Sequence, residues 1–347
     1  MGFEEILRSV SFALVRFTSF SAHAFLFGTA VITLFVLRPA LSSGGPGHPR
    51  ADRLATRLEG FTRASLVASL TATSIGLLLQ ALLVAEFEGG EVTGSSFDAV
   101  FTTTFGQWYL VRLPLLAGAM VLLVGRVGKV ALRGAGGDEE DGPSRVWWAG
   151  WLMIGLLLLS TSTFSGHAAV ATPQVVALVS DVVHLAAGAI WFTGIIVLAL
   201  ILPDAWRGEE EQTRINLLAP AVTAFSRVAL ISVLIIGVTG VINSFLNIGS
   251  WNDLFDTGYG QAVFFKIILF LVVLALGGTN HIYVRSRLDR AARSHSSNGA
   301  HRLFQRTIAV EVALAIGLMS VTGVLVGLAR TRSETVQGAA VLSDRRP

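Results

Sequence analysis

The sequence predicts an all-α polytopic membrane protein with eight transmembrane helices, arranged as two parallel-repeat four-helix halves with both termini outside. Of its 347 residues, 52% are hydrophobic and only 14% are charged, whereas soluble domains carry about 25% charged residues. The apolar residues are collected in runs of about 20 or more, the length that crosses the hydrocarbon core of a bilayer. The distribution of Lys and Arg among the loops predicts the orientation of the helices. A set of recurring motifs predicts the two halves.

Eight apolar segments are long enough to span the bilayer, and each is expected to be helical because a helix satisfies its own backbone hydrogen bonds in lipid. In chain order they cover approximately residues 10–37, 64–85, 104–125, 147–166, 174–202, 227–248, 260–283 and 305–329. The linkers at 42–49, 134–143 and 294–299 are polar and rich in Gly, Ser or Pro, as loops are. The first segment is too long for a signal-peptide core, so we expect it to be retained as a helix.

The loop charges predict the orientation of these helices. The four loops that follow odd-numbered segments contain sixteen Lys or Arg residues, and the three loops that follow even-numbered segments contain none. Because cytoplasmic loops carry an excess of positive charge, the basic loops are expected in the cytoplasm and both termini outside. Four arginines in the C-terminal tail, between residues 330 and 347, run against this assignment.

Three motifs recur in the same order along the chain, which predicts an internal repeat. The first half contains His23, then Phe61-Thr62-Arg63, then Phe105-Gly106-Gln107 with Arg112. The second half contains in turn His184, Phe225-Ser226-Arg227 and Tyr259-Gly260-Gln261 with Lys266. Halves with an even number of helices have the same orientation and are related by an axis along the membrane normal. We therefore divide the chain into a first half at 1–146, a second region at 147–330 and a polar external tail at 331–347.

Several functional classes are excluded by composition and by the absence of motifs. The chain has no cysteine, which rules out disulfides and thiolate metal sites. Its net charge is only +3, and its basic residues lie mostly in short loops, so a nucleic-acid partner is not expected. The sequence contains no phosphate-binding loop, nucleophile elbow or HExxH motif, and it predicts no enzymatic activity.

Histidines within the spans are the strongest functional candidates, because ionisable groups in a membrane are costly and face the bundle interior. The predicted topology places His23, His167 and His184 in the outer half of the membrane and His281 near the cytoplasmic end of the seventh span. Asp181 lies one turn before His184, where a carboxylate can orient the imidazole or join it as a ligand. Imidazole suits Cu, Zn, Fe and Ni. Two other interpretations stay open: a membrane haem protein with bis-histidine ligation for electron transfer, or histidines that only hydrogen-bond neighbouring helices.

The remaining charged and aromatic residues in the spans receive structural interpretations. Arg112 and Lys266 are expected near the outer ends of their helices, where they snorkel to water or pair with Asp98, Asp253 or Asp256. Glu311 is expected to form an ion pair with Arg63 or Arg227 at the cytoplasmic side. Interfacial anchoring is expected of the tryptophans at positions 147, 148, 151 and 251.

Taken together, these motifs resemble the bacterial copper resistance D (CopD-type) membrane proteins. The residues that carry the resemblance are Ser165-Gly166-His167, Asp181-x-x-His184, Phe225-Ser226-Arg227, Thr239-Gly240, Tyr259-Gly260-Gln261, Asn280-His281 and Glu311. They span about residues 150–329, and the first half resembles the family more weakly.

The resemblance implies a protein of the bacterial cytoplasmic (inner) membrane that takes up copper delivered from the periplasm by a separate copper-binding protein. It implies His167, Asp181 and His184 as copper ligands, with His281 as a further candidate. His23 joins this set through the repeat. The sequence leaves open whether the ion is Cu(I) or Cu(II).

Overall fold

The computed structural model of the chain describes residues 3–42, 49–87, 89–124, 126–127, 132, 143–165, 172–248, 250–294 and 302–322. Within these ranges the regular structure is helical and no residue forms a β-strand. The same ranges contain eight helices that are long and apolar enough to cross a membrane, so the prediction of an eight-helix membrane protein is confirmed. We number them α1 (Val10–Leu41), α2 (Asp52–Glu86), α3 (Thr104–Leu123), α4 (Arg145–Phe164), α5 (Gln174–Ala205), α6 (Glu211–Asn247), α7 (Gly258–Arg293) and α8 (Arg302–Thr322).

Three of these helices extend well beyond their predicted apolar segments, on the side that the loop charges assign to the cytoplasm. Helices α2 and α6 begin earlier than expected, and α7 ends later. Ion pairs join the start of α2 to the end of α5 and to the connection that follows it: Arg57 Nε lies 2.8 Å from Asp204 Oδ2, and Arg53 Nη2 lies 2.7 Å from Glu209 Oε1. Hydropathy detects only the part of a helix that meets lipid, so these charged extensions were not predicted.

Helices α1 and α5 form the centre of the bundle. Helix α1 packs against α2, α4 and α5, and α5 also packs against α4 and α6. The backbones of α1 and α5 come close at Gly28, where an added Cβ would lie 2.6 Å from the carbonyl oxygen of Ala189. Beside this contact, Thr193 Oγ1 donates a hydrogen bond of 3.0 Å to the carbonyl oxygen of Ala24. A small residue thus allows the two central helices to touch through their backbones, as is common in membrane proteins.

Helix α4 is held against α1 by tryptophans that were expected at the lipid interface. Trp151 is fully buried, and its Nε1 donates a 2.8 Å hydrogen bond to the carbonyl oxygen of Leu26. Trp147 and Trp148 are also buried and pack against Trp151. Of the four tryptophans expected at the interface, Trp251 is the one whose side chain is exposed, at 78%. The interpretation of the other three as anchors was wrong because a hydropathy profile does not show which way a side chain faces.

Helices α3 and α7 begin with the same local structure. Thr103 Oγ1 accepts a hydrogen bond of 3.1 Å from the backbone N–H of Gly106, and Thr257 Oγ1 accepts one of 2.9 Å from that of Gly260. In both places glycine is needed sterically, because an added Cβ would collide with a carbonyl oxygen of the preceding short helix. Those short helices are Gly94–Thr102 and Asp253–Asp256. The equivalence is local, and the relation between the complete halves and the outside location of the termini stay predictions.

Candidate metal site in the helix bundle

His23 is completely buried in the helix bundle. Its side chain is 0% exposed on α1, and its Nε2 lies 2.7 Å from the hydroxyl of Ser69 on α2. Its Nδ1 has no hydrogen-bond partner among the described residues. Buried hydroxyls of Ser19 on α1 and Thr73 on α2 lie one turn away from the paired residues and have no described partner either. This part of the α1–α2 contact therefore contains more polar atoms than its described hydrogen bonds use.

His184 occupies a comparable place between α5 and α6. Its Nδ1 lies 2.9 Å from the hydroxyl of Thr239, and that hydroxyl lies 2.6 Å from the carbonyl oxygen of Ile235. Because the carbonyl can only accept, the single hydroxyl proton is directed to Ile235, and the hydroxyl oxygen accepts from His184. This arrangement favours the tautomer with its proton on Nδ1 and its lone pair on Nε2, a form that can ligate a metal ion.

Asp181 lies one turn before His184 and is the carboxylate of this second cluster. It interacts electrostatically with Lys266 of α7 and faces Thr163 of α4 and Tyr259 of α7. Lys266 also lies within electrostatic reach of His184. Side chains from three other helices, α4, α6 and α7, thus lie around the imidazole–carboxylate pair of α5, and the ammonium group of Lys266 is one of them.

The structure describes only the backbone of one of the other two predicted ligands. His167 lies outside the described residues, and so does the side chain of His281. The backbone of His281 belongs to a π-helical turn, Asn280–Val284, within α7. Its neighbour Asn280 donates a hydrogen bond from Nδ2 to the carboxylate of Glu311 on α8. The partner of Glu311 in the described part of the chain is therefore an amide, instead of the expected Arg63, which pairs with Glu59 of its own helix, or Arg227, which is exposed.

The structure brings Asp181 and His184 together and gives His23 separate neighbours. In the described ranges, no three His, Asp or Glu side chains are grouped closely enough to hold a metal ion by themselves. A site built on the described residues therefore has two protein ligands at the His184 cluster and one at His23. Whether the five predicted ligands bind copper stays a prediction.

Sequence reasoning missed the part that Arg112 and Lys266 play in these clusters. Arg112 is 3% exposed and does not snorkel to water: its Nε donates a 2.7 Å hydrogen bond to Thr161 Oγ1 on α4, and it lies within electrostatic reach of His23. Lys266 interacts with Asp181 instead of Asp253 or Asp256. The signal for both was present in the repeat, since each cation stands seven residues after the aromatic residue of its motif.

Comparison with known protein families identifies the family to which the chain belongs. The family model for "Copper resistance protein D-like, N-terminal domain" matches residues 7–175, and that for "Copper resistance protein D" matches residues 219–325. The two matches include most of both halves. The chain belongs to the copper resistance protein D family. The resemblance drawn from the motifs of the second half is thus confirmed, and it extends through the first half as well.

Two relatives of the chain show the extent of the similarity. The copper transport protein CutJ of Bacillus subtilis is 28% identical over 273 residues, which are 77% of this chain and 46% of CutJ. The copper resistance protein D of Pseudomonas syringae pv. tomato is 26% identical over 321 residues, which are 90% of this chain and 95% of the relative. The chain therefore spans less than half of CutJ and nearly all of the Pseudomonas protein. No solved structure matches the chain.

Membership of this family and the eight apolar helices together establish a multi-pass membrane protein and support a role in copper handling.

Proposed function

We propose that this protein carries copper across the cytoplasmic membrane, with His184 and Asp181 as a pair of copper ligands in the bundle. The observation that carries this proposal is the contact between His184 and Thr239, which leaves the Nε2 lone pair of His184 available to a metal ion. Family membership supports copper as the ion, since both relatives are named for copper transport or resistance.

Lys266 makes the proposed site suitable for transport instead of storage. A transported ion must bind well enough to enter and weakly enough to leave. At the His184 cluster an incoming copper ion meets an imidazole and a carboxylate, but it also meets the positive charge of Lys266. Attraction and repulsion at the same place favour a site of moderate affinity.

His23 is proposed as a second contact for copper within the bundle. Its free Nδ1 is fully buried, and a buried nitrogen without a partner costs free energy that a bound ion would recover. His167 and His281 complete the proposed route, which leads from the predicted outer side of the membrane to the second half of α7. We further propose that a separate copper-binding protein on the outer side delivers the ion.

Copper binding by the purified protein tests this function directly. The full chain, reconstituted in lipid nanodiscs, is titrated with Cu(I) and with Cu(II) against a chromophoric chelator of known affinity. We expect copper binding that His184→Ala removes and His23→Ala weakens, while His295→Ala, in a polar loop, leaves it unchanged. Equal binding by wild type and His184→Ala would exclude the proposed site.

The same purified protein can be used to test copper transport and the haem alternative. Proteoliposomes that contain the wild-type protein should accumulate copper faster than empty liposomes, and those with His184→Ala should not. An absorption spectrum of the purified protein shows whether haem is bound: a Soret band that His23→Ala or His184→Ala removes would replace copper transport by electron transfer.

A further inference from the structure

Glu311 occupies a buried position on the inner face of α8. Four side chains of this helix, separated in turn by four, three and four residues, are buried: Phe304, Ile308, Glu311 and Ala315. This spacing keeps all four on one side of a helix. The exposed fraction of Glu311 is 6%, which is close to that of its apolar neighbours. A carboxyl group therefore stands where the packing of α8 would otherwise place an apolar side chain.

No described cation compensates a negative charge at this position. Among the described residues, no Lys, Arg or His side chain lies within ion-pair distance of Glu311. Arg285 of α7 is half-buried and forms no ion pair with it, and the side chain of His281 lies outside the described residues. The other titratable groups nearby on these helices and on α6 are exposed: Arg227, Tyr283 and Arg306. An ionised carboxylate that is buried without a partner charge costs far more free energy than a neutral carboxyl.

Asn280 of α7 provides the partner that a protonated carboxyl requires. Its Nδ2 donates a hydrogen bond to Oε1 of Glu311, while its Oδ1 is buried and has no hydrogen-bond partner in the described part of the chain. A carboxylate can only accept hydrogen bonds, whereas a protonated carboxyl also has one O–H to donate. With a proton on Oε2, Glu311 can therefore donate to Oδ1 while it accepts from Nδ2. This cyclic pair satisfies the amide oxygen that a carboxylate would leave buried and unpaired.

We propose that Glu311, paired with Asn280, is a proton-binding site of the bundle, whose carboxyl is protonated at neutral pH with its O–H hydrogen-bonded to Oδ1 of Asn280. The proton is taken from water and returned to water, so the site changes only between a neutral acid and a carboxylate. Carboxyl groups inside transmembrane segments are among the groups with which pumps and transporters bind protons. The proton is held in the copper-free protein, so this site is independent of the proposed copper transport.

Infrared difference spectra of the copper-free, full-length protein report the protonation state directly. In a detergent without carbonyl groups at neutral pH, wild type minus Glu311→Gln should show the C=O stretching band of a protonated carboxyl, which shifts in heavy water. Glu59→Gln is the matched control, because Glu59 pairs with Arg63, and its difference spectrum should contain carboxylate bands only. Asn280→Leu should move the protonated band to higher frequency, because Nδ2 no longer donates to Oε1.

The dependence of stability on pH gives a second measurement. A glutamate in the unfolded chain ionises above about pH 4. A folded protein that keeps the proton binds more protons than the unfolded chain, so its stability falls as the pH rises. Glutamine presents the same oxygen and N–H without a proton to lose. The Tm of Glu311→Gln should therefore rise relative to that of the wild type by about 2 °C per pH unit between about pH 5 and pH 8.

Contrary results on either measurement overturn the proposal. Carboxylate bands in the wild type minus Glu311→Gln spectrum, or a Tm of Glu311→Gln that stays below that of the wild type at every pH, would mean that a cation holds Glu311 as an anion. A band that Asn280→Leu leaves unmoved excludes the proposed pair. Should Glu311→Gln not fold, wild-type protein with isotope-labelled glutamate must still show a protonated carboxyl at neutral pH, and its absence excludes the site.

Discussion

The hydroxyl of Thr239 lies 2.9 Å from Nδ1 of His184 and 2.6 Å from the carbonyl oxygen of Ile235. The first distance joins α5 to α6, and the second lies within α6. Together they orient an imidazole in the interior of the bundle with its Nε2 turned away from Thr239. This relation is the most specific chemical feature of the candidate site, and it can be changed without removing the histidine.

Thr239→Val should weaken copper binding about 10- to 100-fold, because it removes the partner that fixes the tautomer of His184 while it preserves the side-chain shape. Ser244→Ala is the matched control. Ser244 also stands on α6, but among the described residues its hydroxyl donates to the carbonyl oxygen of Gly240 in the same helix. The measurement is the chelator competition described above. Equal losses in both variants would indicate a general change in α6 instead of an effect on His184.

Asp181 and Lys266 should be coupled in their effect on stability, whereas copper binding should require the carboxylate of Asp181. Asp181→Asn leaves Lys266 without a carboxylate and should lower the Tm, whereas Asp181→Asn combined with Lys266→Met removes both charges and should recover most of that loss. A double-mutant cycle should give a coupling free energy on the order of 1 kcal/mol or more. Neither variant should recover normal copper binding, since both lack the carboxylate.

A cycle with no measurable coupling would mean that the two charges are independent. Full copper affinity in Asp181→Asn would remove the carboxylate from the proposed ligand pair and leave His184 as the only ligand there.

Gly28→Ala should destabilise the protein by about 1–3 kcal/mol, because the added methyl group overpacks the contact between α1 and α5. Gly188→Ala is the control on α5, since an added Cβ there meets nothing within 4 Å. Thermal unfolding in detergent compares the two variants with the wild type. Equal Tm values for Gly28→Ala and Gly188→Ala would contradict the close approach of the central helices.

Trp151→Phe should cost about 1–3 kcal/mol of stability, because it leaves the buried carbonyl oxygen of Leu26 without its indole donor. Trp251→Phe, at a side chain that is 78% exposed, should have little effect. Thermal unfolding again measures the difference. A larger loss in Trp251→Phe than in Trp151→Phe would be inconsistent with α4 being held to α1 by this hydrogen bond.

The sequence was informative where a property depends on the chain itself. The number of helices followed from the length of the apolar runs, because a bilayer requires about 20 residues per span. The proximity of Asp181 and His184 followed from their spacing of three on one helix. The glycines of the recurring motifs marked two helix starts with the same capping geometry.

The contacts between helices were not predictable in this way. Arg112 and Lys266 were expected to reach water, but one faces hydroxyls of α4 and the other faces Asp181 of α5. Trp151 was expected at the lipid interface and instead binds α1. In each case the outcome depends on how a helix is rotated about its own axis, and hydropathy contains no information about that angle.

By itself, then, the sequence determined that this protein is an eight-helix membrane protein of the copper resistance D family with histidines inside its spans. Only the tertiary structure decided that His184 is oriented by Thr239, that Arg112 lies near His23 and is held by α4, and that α1 and α5 meet at Gly28. The physical reason is that a helix forms from local hydrogen bonds and apolar length, whereas partners across the bundle are selected by packing among all the helices at once.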